Sequence, residues 1–425
     1  MKKLKSDNLA RVMRLTWLFL IRDATSVTLE GMVFVSSRIA AVVLAVMSAG
    51  LVGAATIIAP ADPGELAEQS QGVFLARALG SKAVRTSHVS TVTEFVVVET
   101  IKGALTSGVR VTVVVPGGQL EDEIWFVPGS PSFAEGEIYL IFADQGGDGW
   151  WRPRLLAESV LRRELGSDGG KVLVPVEESV EVESLPVPGA ATILFPGVIK
   201  ERPFIDALAQ RLGGRRGWDW EPLVDADSAA SAAVKAAPAG CAFMQSGSTN
   251  FRWRSFDTGG SITMWAGNTA DSSISGGGYV EVQDALGRWN AVPSTSIDVL
   301  YGGPGSAAVS CTSGNNDYVS NTVIFNDPCN DIADLSGCSG TLAYGGVGAS
   351  GTHTFDGATW YSLNNWYVVV NNGAGCLGST NYEIMLTHEL GHGLGFGHTS
   401  DPASLMFPSC CHPHNTLDNT CAQYL

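Results

Sequence analysis

An eleven-residue stretch near the carboxyl end of the chain, His388–His398, reads HELGHGLGFGH. In an α-helix, residues four positions apart lie on one face about one turn apart, so His388 and His392 can point at a common centre. Gly395 predicts the end of that helix, because glycine readily takes the left-handed conformation common at helix C-termini. The chain can then turn and bring His398 to the same centre. The spacing therefore predicts a helix, a sharp turn and three converging imidazoles.

Three neutral imidazoles with one open position are typical of a catalytic zinc site, since structural zinc sites are closed by four protein ligands. Glu389 directly follows the first histidine, and in this motif such a carboxylate acts as the general base. Isolated histidines are usually surface or core residues, but three of the seven histidines at these intervals do not fit that alternative. We therefore expect His388, His392 and His398 to bind Zn²⁺ and Glu389 to be catalytic.

Other signals support a helix around the motif. Thr380–Glu383 fits a capping box, with a hydroxyl at the N-cap and a carboxylate three residues later. Leu386, Leu390 and Leu394 recur every four residues and form an apolar stripe, about 200° around the helix from the histidines. One side of the helix is therefore expected to pack on a core while the other lines a cleft.

The motif resembles the zinc-binding consensus of the metzincin metalloproteases, H-E-x-x-H-x-x-G-x-x-H. The segment Ser404–Pro408 that follows looks like the Met-turn, which in this family runs beneath the zinc-binding histidines, and Met406 is the matching methionine. Among metzincins the chain is most similar to the matrixins. Thr399 stands where matrixins usually carry Ser, and Phe407 stands where Tyr is frequent. Both departures leave the zinc site intact.

The resemblance covers about residues 240–425 and implies an α+β fold, in which a twisted sheet carries the active-site helix. Five further segments resemble, in order, the first helix, a strand, the segment before the edge strand, a second strand and the closing helix: Gly278–Trp289, Asn321–Asp327, Thr341–Ala343, Trp366–Asn371 and Thr416–Leu425. An edge strand near Trp366–Asn371 would align an extended peptide by main-chain hydrogen bonds.

The resemblance implies an endopeptidase that acts on polypeptides. Zinc would lower the pKa of its bound water and polarise the scissile carbonyl. Glu389 would take the proton of the water and pass it to the leaving amine. Many matrixins also bind structural calcium, so Ca²⁺ is a family expectation here. The alternative is an exported binding or adhesion protein with a vestigial protease domain, and the loss of a ligand or of Glu389 would have favoured it.

All eight cysteines lie in the C-terminal part: Cys241, Cys311, Cys329, Cys338, Cys376, Cys410, Cys411 and Cys421. An even number confined to one region predicts up to four disulfides and an oxidising compartment. Cys410 and Cys411 are adjacent, and each is expected to bond elsewhere. The alternative, a second metal site formed by these two residues with His412 and His414, matches no standard zinc spacing.

The matrixin latency switch uses a cysteine in a Pro-Arg-Cys-Gly context. This chain has Ala-Gly-Cys-Ala around Cys241, and the number of cysteines is even. We therefore expect Cys241 to be a disulfide partner, and the mode of latency stays open.

An almost wholly apolar segment, Ile39–Ala55, follows Arg38 and ends in small residues. It predicts the h-region of a signal peptide, with cleavage near Gly53–Ala55. With Thr56–Ala59 the apolar stretch reaches about 21 residues, so a retained membrane anchor is the alternative. Met32 would be a more conventional start. The segment predicts a secreted or cell-envelope protein that contacts a membrane only if the apolar segment is retained.

Strand-like runs recur between the signal and the protease, separated by turn formers: Val92–Glu99, Val109–Val115, Glu123–Val127 and Ile138–Phe142. This pattern predicts a mainly β domain, either a barrel or a sandwich. The run from Val73 to Gly103 is similar to small β-barrel domains of the netrin or OB kind. An inhibitory prodomain, a folding aid and a binding module are all open as roles for this domain.

The predicted organisation is an N-terminal extension with signal peptide (residues 1–59), a β domain (60–212), a linker (213–240) and the protease domain (241–425). Phe204–Leu212 predicts a terminal helix of the β domain. Arg215 and Arg216 in the linker are a candidate for activating cleavage, with a solvated basic pair as the alternative. The formal charge of −16 argues against nucleic acid as a partner, because its binding needs a basic surface.

Overall fold

Two β-sheets form the frame of the structure, which is a computed structural model. It describes residues 56–85, 88–121, 123–166, 168–176, 195, 198–214, 240–246, 249–305, 321–399 and 401–425. The predicted h-region, the basic pair at 215–216 and most of the predicted linker lie outside the described residues. Within the described ranges, no helix combines the length and apolarity needed to cross a membrane.

The N-terminal part is mainly β, as predicted. Its strands are β1 (Thr56–Ile58), β2 (Gly72–Arg85), β3 (Val89–Lys102), β4 (Arg110–Pro116), β5 (Gly118–Leu120), β6 (Glu123–Phe126), β7 (Ile138–Gln145), β8 (Trp151–Pro153), β9 (Val160–Leu165), β10 (Lys171–Pro175) and β11 (Ile199–Lys200). Two helices accompany them, α1 (Pro63–Gln69) and α2 (Glu201–Leu212). Helix α1 begins where it does because the Asp62 carboxylate accepts a hydrogen bond from the Glu65 N–H at 2.8 Å, and proline is favoured in the first turn.

Five strands of this part close into a barrel. Strands β7, β2, β3, β4 and β8 pair in a ring, because β8 pairs with both β4 and β7. Alternate residues of β2, beginning with Phe74, point into the ring, where they meet Phe95, Tyr139 and Trp151. The interior is therefore filled by side chains, and of the two forms predicted for this domain the structure has the barrel.

The C-terminal part contains strands β12 (Gln245–Ser246), β13 (Thr249–Arg252), β14 (Ile262–Ala266), β15 (Val299–Pro304), β16 (Thr322–Ile324), β17 (Gly340–Phe355) and β18 (Ala358–Val370). Its helices are α3 (Tyr279–Asn290), α4 (Gly378–Leu394) and α5 (Thr416–Ala422). The predicted first helix, the two predicted strands and the closing helix coincide with α3, β16, β18 and α5. This part has the mixed α+β architecture expected from the sequence.

The sheet of the C-terminal part runs in the order β15-β14-β16-β18-β17 and continues into β6 and β5 of the N-terminal part. Strand β18 pairs in parallel with β16 and antiparallel with β17. The prediction that an edge strand lies near Trp366–Asn371 is therefore wrong. The five residues Trp366–Val370 are fully buried, and a strand buried on both faces belongs in the middle of a sheet. Within the C-terminal part, the outer strands of this sheet are β15 at one end and β17, next to β18, at the other.

The barrel packs on the C-terminal sheet, on the face opposite to α4. Ile324, Tyr344, Tyr367 and Val369 project from β16, β17 and β18 into one apolar cluster with residues of the barrel and of α1 and α2. All four side chains are buried. The two parts therefore share a core, and the barrel forms a layer of the C-terminal fold.

A buried carboxyl in this region predicts a dependence of stability on pH. Burial and the neighbouring Asp331 raise the pKa of Asp327 to about 7 from its ordinary value of 3.8. The folded state therefore binds more protons than the unfolded state between these values, and the free energy of unfolding falls as pH rises from about 4 to 7. We expect a loss on the order of 4 kcal/mol, since the pKa is raised by about three units and each unit corresponds to about 1.4 kcal/mol.

The variant Asp327→Asn cannot titrate, so its unfolding free energy should change less over the same pH range. Denaturant unfolding of both proteins between pH 4 and pH 8 measures how steeply the free energy of unfolding changes with pH in each. Equal pH slopes would contradict the raised pKa of Asp327. Only the slopes are compared, because the single amide oxygen cannot accept the N–H groups of both Asp331 and Ile332, as the carboxylate does.

Disulfides tie the C-terminal part together. Cys241 bonds to Cys421, and this bond joins the start of this part to α5, so the prediction that Cys241 is a disulfide partner is confirmed. Cys338 bonds to Cys376, and Cys329 is disulfide-bonded as well. Cys410 and Cys411 bond to each other, which contradicts the expectation that each would bond elsewhere.

Candidate metal centre and active site

Helix α4 carries the HELGH sequence and is almost wholly buried in its second half. It begins at Gly378, directly after a 3₁₀ turn, Ala374–Leu377, and no side chain caps it. The predicted capping box at Thr380–Glu383 is therefore wrong. The preceding turn leads straight into the helix, so these residues lie inside it, and the Glu383 carboxylate pairs instead with Arg288 of α3.

The helix ends at Leu394, and Gly395 follows in the left-handed conformation with φ of 117°. A side chain there would be strained, and its Cβ would lie 2.9 Å from the Phe251 carbonyl oxygen. The turn lets the chain fold back at once. His398 consequently lies beside the helix that it has just left.

The three imidazoles converge on one point. The Nε2 atom of His388 lies 2.9 Å from Nε2 of His392 and 3.0 Å from Nε2 of His398. All three side chains are buried. Their ligand atoms lie close enough together to hold a metal ion. Within the described ranges, no other group of three or more His, Cys, Asp or Glu residues meets this condition.

Hydrogen bonds orient two of these rings. The Nδ1–H of His388 donates to the Leu405 carbonyl at 2.6 Å, and the Nδ1–H of His392 donates to the Phe396 carbonyl at 2.8 Å. Each bond directs the lone pair of Nε2 toward the point of convergence. Burial lowers the pKa of His388 to about 4, and burial together with His388 lowers the pKa of His392 well below its usual value. Both rings are therefore neutral at pH 7, the form that binds metal. The donor set fits zinc.

Glu389 is fully buried beside the triad, and β17 passes directly over it. A Cβ atom on Gly345 of β17 would lie 2.6 Å from the Glu389 carbonyl oxygen and 3.3 Å from its Oε2 atom. Only glycine allows the strand to come this close. Gly345 was not among the residues predicted from the sequence. The glycines of the Thr341–Gly348 segment were the signal, because glycine within a strand often marks a close backbone approach.

Met406 lies under the helix. A Cβ atom on Gly391 would come 2.6 Å from the Met406 Sδ atom, so the methionine packs directly on the helix backbone between the two histidines of α4. The Met406 carbonyl accepts the N–H of Thr399 at 3.0 Å, and this bond holds the turn against the residue after the third histidine. The side chain therefore occupies the place that the Met-turn resemblance implies.

Asp418 of α5 is a further residue of the site that was not predicted from the sequence. Its buried carboxylate accepts hydrogen bonds from the Ser404 hydroxyl and from the N–H of Leu405 at 3.0 Å. The same carboxylate completes a capping box with Asn415 at the start of α5. The spacing of Asn415 and Asp418 was the available signal. Asp418 thus supports the loop whose Leu405 carbonyl orients His388.

The far side of the helix packs on a core of leucines and tryptophans. Leu386, Leu390 and Leu394 are buried there, as the apolar stripe predicts. The Trp289 indole N–H donates to the Thr387 carbonyl at 2.9 Å, and the Trp366 indole lies directly on Gly393. These contacts fix the helix against α3 and β18.

The alternative second metal site is not supported. Cys410 and Cys411 are consumed in their disulfide, so neither offers a thiolate. The ring of His412 packs on Phe407, and the ring of His414 lies 4.9 Å from that of Trp289. The four residues therefore have structural partners and do not form a ligand set. The calcium expectation stays a prediction.

Comparison with known families agrees with the site geometry. The family model for matrixins matches residues 315–420, a range that includes the three histidines, Glu389 and Met406. No curated protein matches the chain at a significant level. Matrixins are zinc metalloproteases, which implies peptides as substrates. With three buried imidazoles converging on one point and the family match over the same residues, the C-terminal part of this chain contains a matrixin-like domain.

Proposed function

We propose that the protein is an exported zinc-dependent endopeptidase, in which His388, His392 and His398 hold the metal and Glu389 is the general base and acid. The observation that carries the proposal is the convergence of three buried Nε2 atoms next to a buried carboxylate. When bound, zinc would lower the pKa of a water molecule and polarise the scissile carbonyl.

The remaining steps of the reaction depend on side chains and main chain of the protein itself. Glu389 takes a proton from the attacking water and later delivers it to the leaving amine, so that one carboxylate serves both halves of the reaction. Gly345 allows β17 to run close to this carboxylate, so the main chain of that strand would lie beside the reacting bond of a bound peptide. Gly395 and Met406 act structurally, by turning the chain toward His398 and by supporting the helix.

Export and the choice between enzyme and binding protein rest on further observations. Disulfide-bonded cysteines support an oxidising compartment outside the cytosol. The binding or adhesion alternative requires a vestigial site. The presence of all three histidines and Glu389, each buried and positioned by its neighbours, argues for a working enzyme.

Removal of the metal tests the proposal. The purified chain is expected to contain one zinc per molecule and to cleave an unstructured probe, carboxymethylated casein, over an extended incubation. A chelator should reduce cleavage to background, and stoichiometric zinc should restore it. Zinc should also stabilise the fold, by about 4 kcal/mol at a free concentration some 1,000 times Kd. Cleavage that persists in the metal-free protein would contradict the proposal, and so would a chain whose unfolding is insensitive to zinc.

A further inference from the structure

Two short strands of the N-terminal part cover the outer edge of β17. Strand β1 pairs antiparallel with it from Gly340 to Ala343, and strand β6 pairs antiparallel with it from Val347 to Ala349. The two registers leave Tyr344, Gly345 and Gly346 between them. Because Gly345 lies against Glu389, the two strands flank the catalytic carboxylate on either side.

Strand β1 is also hydrogen-bonded along its other edge. Ile57 pairs in parallel with Ser409: its N–H donates to the Pro408 carbonyl at 3.4 Å, and its carbonyl accepts the N–H of Cys410 at 3.1 Å. The Ser339 hydroxyl adds a bond to the Ile58 carbonyl at 3.0 Å. This main-chain segment therefore lies in a slot between β17 and the residues that follow Met406, bound as an extended peptide.

The polarity of β1 directs it toward the site. Ile58 lies opposite Gly340, whereas Thr56 lies opposite Ala343, two residues before Gly345. The chain therefore approaches Glu389 as it is followed from Ile58 back to Thr56. A peptide in this slot would be held by main-chain hydrogen bonds on both edges, the mode in which an extended ligand adds a strand to a sheet.

We propose that the intact chain blocks the outer edge of β17, where an extended peptide would pair, with its own strands β1 and β6. This inference rests on the proposed endopeptidase function. A strand edge offers one row of N–H and C=O groups, so a substrate can pair with β17 only where the chain's own strand has left it.

Strand β1 can leave while the barrel stays in place. The barrel is anchored by the buried cluster around Ile324, Tyr344, Tyr367 and Val369 on the reverse face of the sheet. Strand β1 contributes Ile57 to the same cluster, so its release withdraws that side chain while the other members stay packed. Strand β1 has three residues and is joined to α1 by the short segment 59–62. A short tether gives a segment an effective concentration on the order of mM, so β1 outcompetes dilute substrate until it is displaced or cut. Release of β1 therefore frees the edge of β17 from Gly340 to Ala343 without removal of the domain, while β6 stays paired with Val347–Ala349.

A binding experiment tests the blocked edge independently of catalysis. In the full chain carrying Glu389→Ala, the Kd for fluorescein-labelled carboxymethylated casein is measured by anisotropy with and without Ile57→Pro. Proline lacks the N–H that donates to Pro408 and does not fit a strand paired on both edges. Ile57→Pro is expected to tighten binding at least roughly tenfold, since a tether at mM effective concentration no longer competes. The control Ile57→Val, which keeps the main-chain bonds, should leave Kd unchanged.

An unchanged Kd in a folded, zinc-containing Ile57→Pro protein overturns the proposal. If that variant does not fold, Ser339→Ala removes one bond to β1 and should tighten binding by a smaller factor, and no change there overturns the proposal as well. The same substitutions in a chain with Glu389 intact distinguish the endopeptidase function from the blocked edge of β17, because cleavage and binding are then measured separately. Tighter binding without any cleavage contradicts the endopeptidase and supports the blocked edge. Zinc-dependent cleavage with an unchanged Kd supports the endopeptidase and contradicts the blocked edge.

Discussion

Replacement of Glu389 by glutamine is expected to lower the rate of peptide cleavage by about 10² to 10⁴-fold, the contribution typical of a general acid–base group. Glutamine keeps the size of the side chain but cannot take the proton of the attacking water. Zinc binding should persist, because the three imidazoles are unchanged. The measurement pairs initial rates on an unstructured polypeptide with the zinc content of the same preparation.

The matched control is Glu383→Gln on the same helix. Glu383 pairs with Arg288 and lies on the first half of α4, away from the triad, so its loss should leave the rate within about twofold because such partly exposed ion pairs contribute little. A second comparison, in the Ile57→Pro chain, measures the same ratio of rates with the part of the β17 edge that β1 covers released. If Glu389→Gln retains more than about a tenth of the wild-type rate while binding zinc, Glu389 is not the catalytic base.

Gly393→Ala is expected to cause the largest loss of stability among single methyl additions in the helix. A Cβ atom at Gly393 would overlap the indole of Trp366, which is fully buried in the middle of the sheet and has no room to move. Overpacking of this kind costs about 1 to 3 kcal/mol and sometimes more. The shift should appear as a lower free energy of unfolding and as weaker zinc binding, because His392 is the adjacent residue.

Gly287→Ala in α3 is the control for this substitution. No atom lies within 4 Å of the Cβ position at Gly287, so alanine gains its helix propensity there without a clash. That change should raise the free energy of unfolding by about 0.5 to 1 kcal/mol. Denaturant unfolding of the zinc-loaded proteins compares the two. A Gly393→Ala protein as stable as Gly287→Ala would contradict the packing described for Trp366.

Much of the candidate site could be predicted from local spacing. Residues four apart on a helix share a face whatever surrounds them, so the pairing of His388 and His392 follows from the sequence alone. Gly395 could be assigned for a similar reason, because its conformation depends on the backbone of a single residue. The strands and helices that were predicted from periodicity also lie where they were expected, since burial repeats along each element at its own period.

Errors arose where a residue's role depends on distant parts of the chain. Trp366–Val370 has the composition of a buried strand, but its place between β16 and β17 is a matter of pairing partners. Thr380–Glu383 matches the sequence pattern of a capping box, but the helix already begins at Gly378, directly after the preceding turn. Cys410 and Cys411 were expected to bond elsewhere, and no other cysteine is bonded to either of them.

The sequence by itself determined the chemistry of the site, because the histidines, Glu389 and the glycine turn lie within eleven consecutive residues and short-range helix geometry relates them. Only the tertiary structure decided what surrounds that chemistry. Gly345 is over 40 residues from Glu389 in sequence, and Thr56–Ile58 is more distant still, yet strand pairing and a shared core bring both to the site. Pairing between strands depends on which edges remain unpaired after the whole chain has folded, and no local pattern records that.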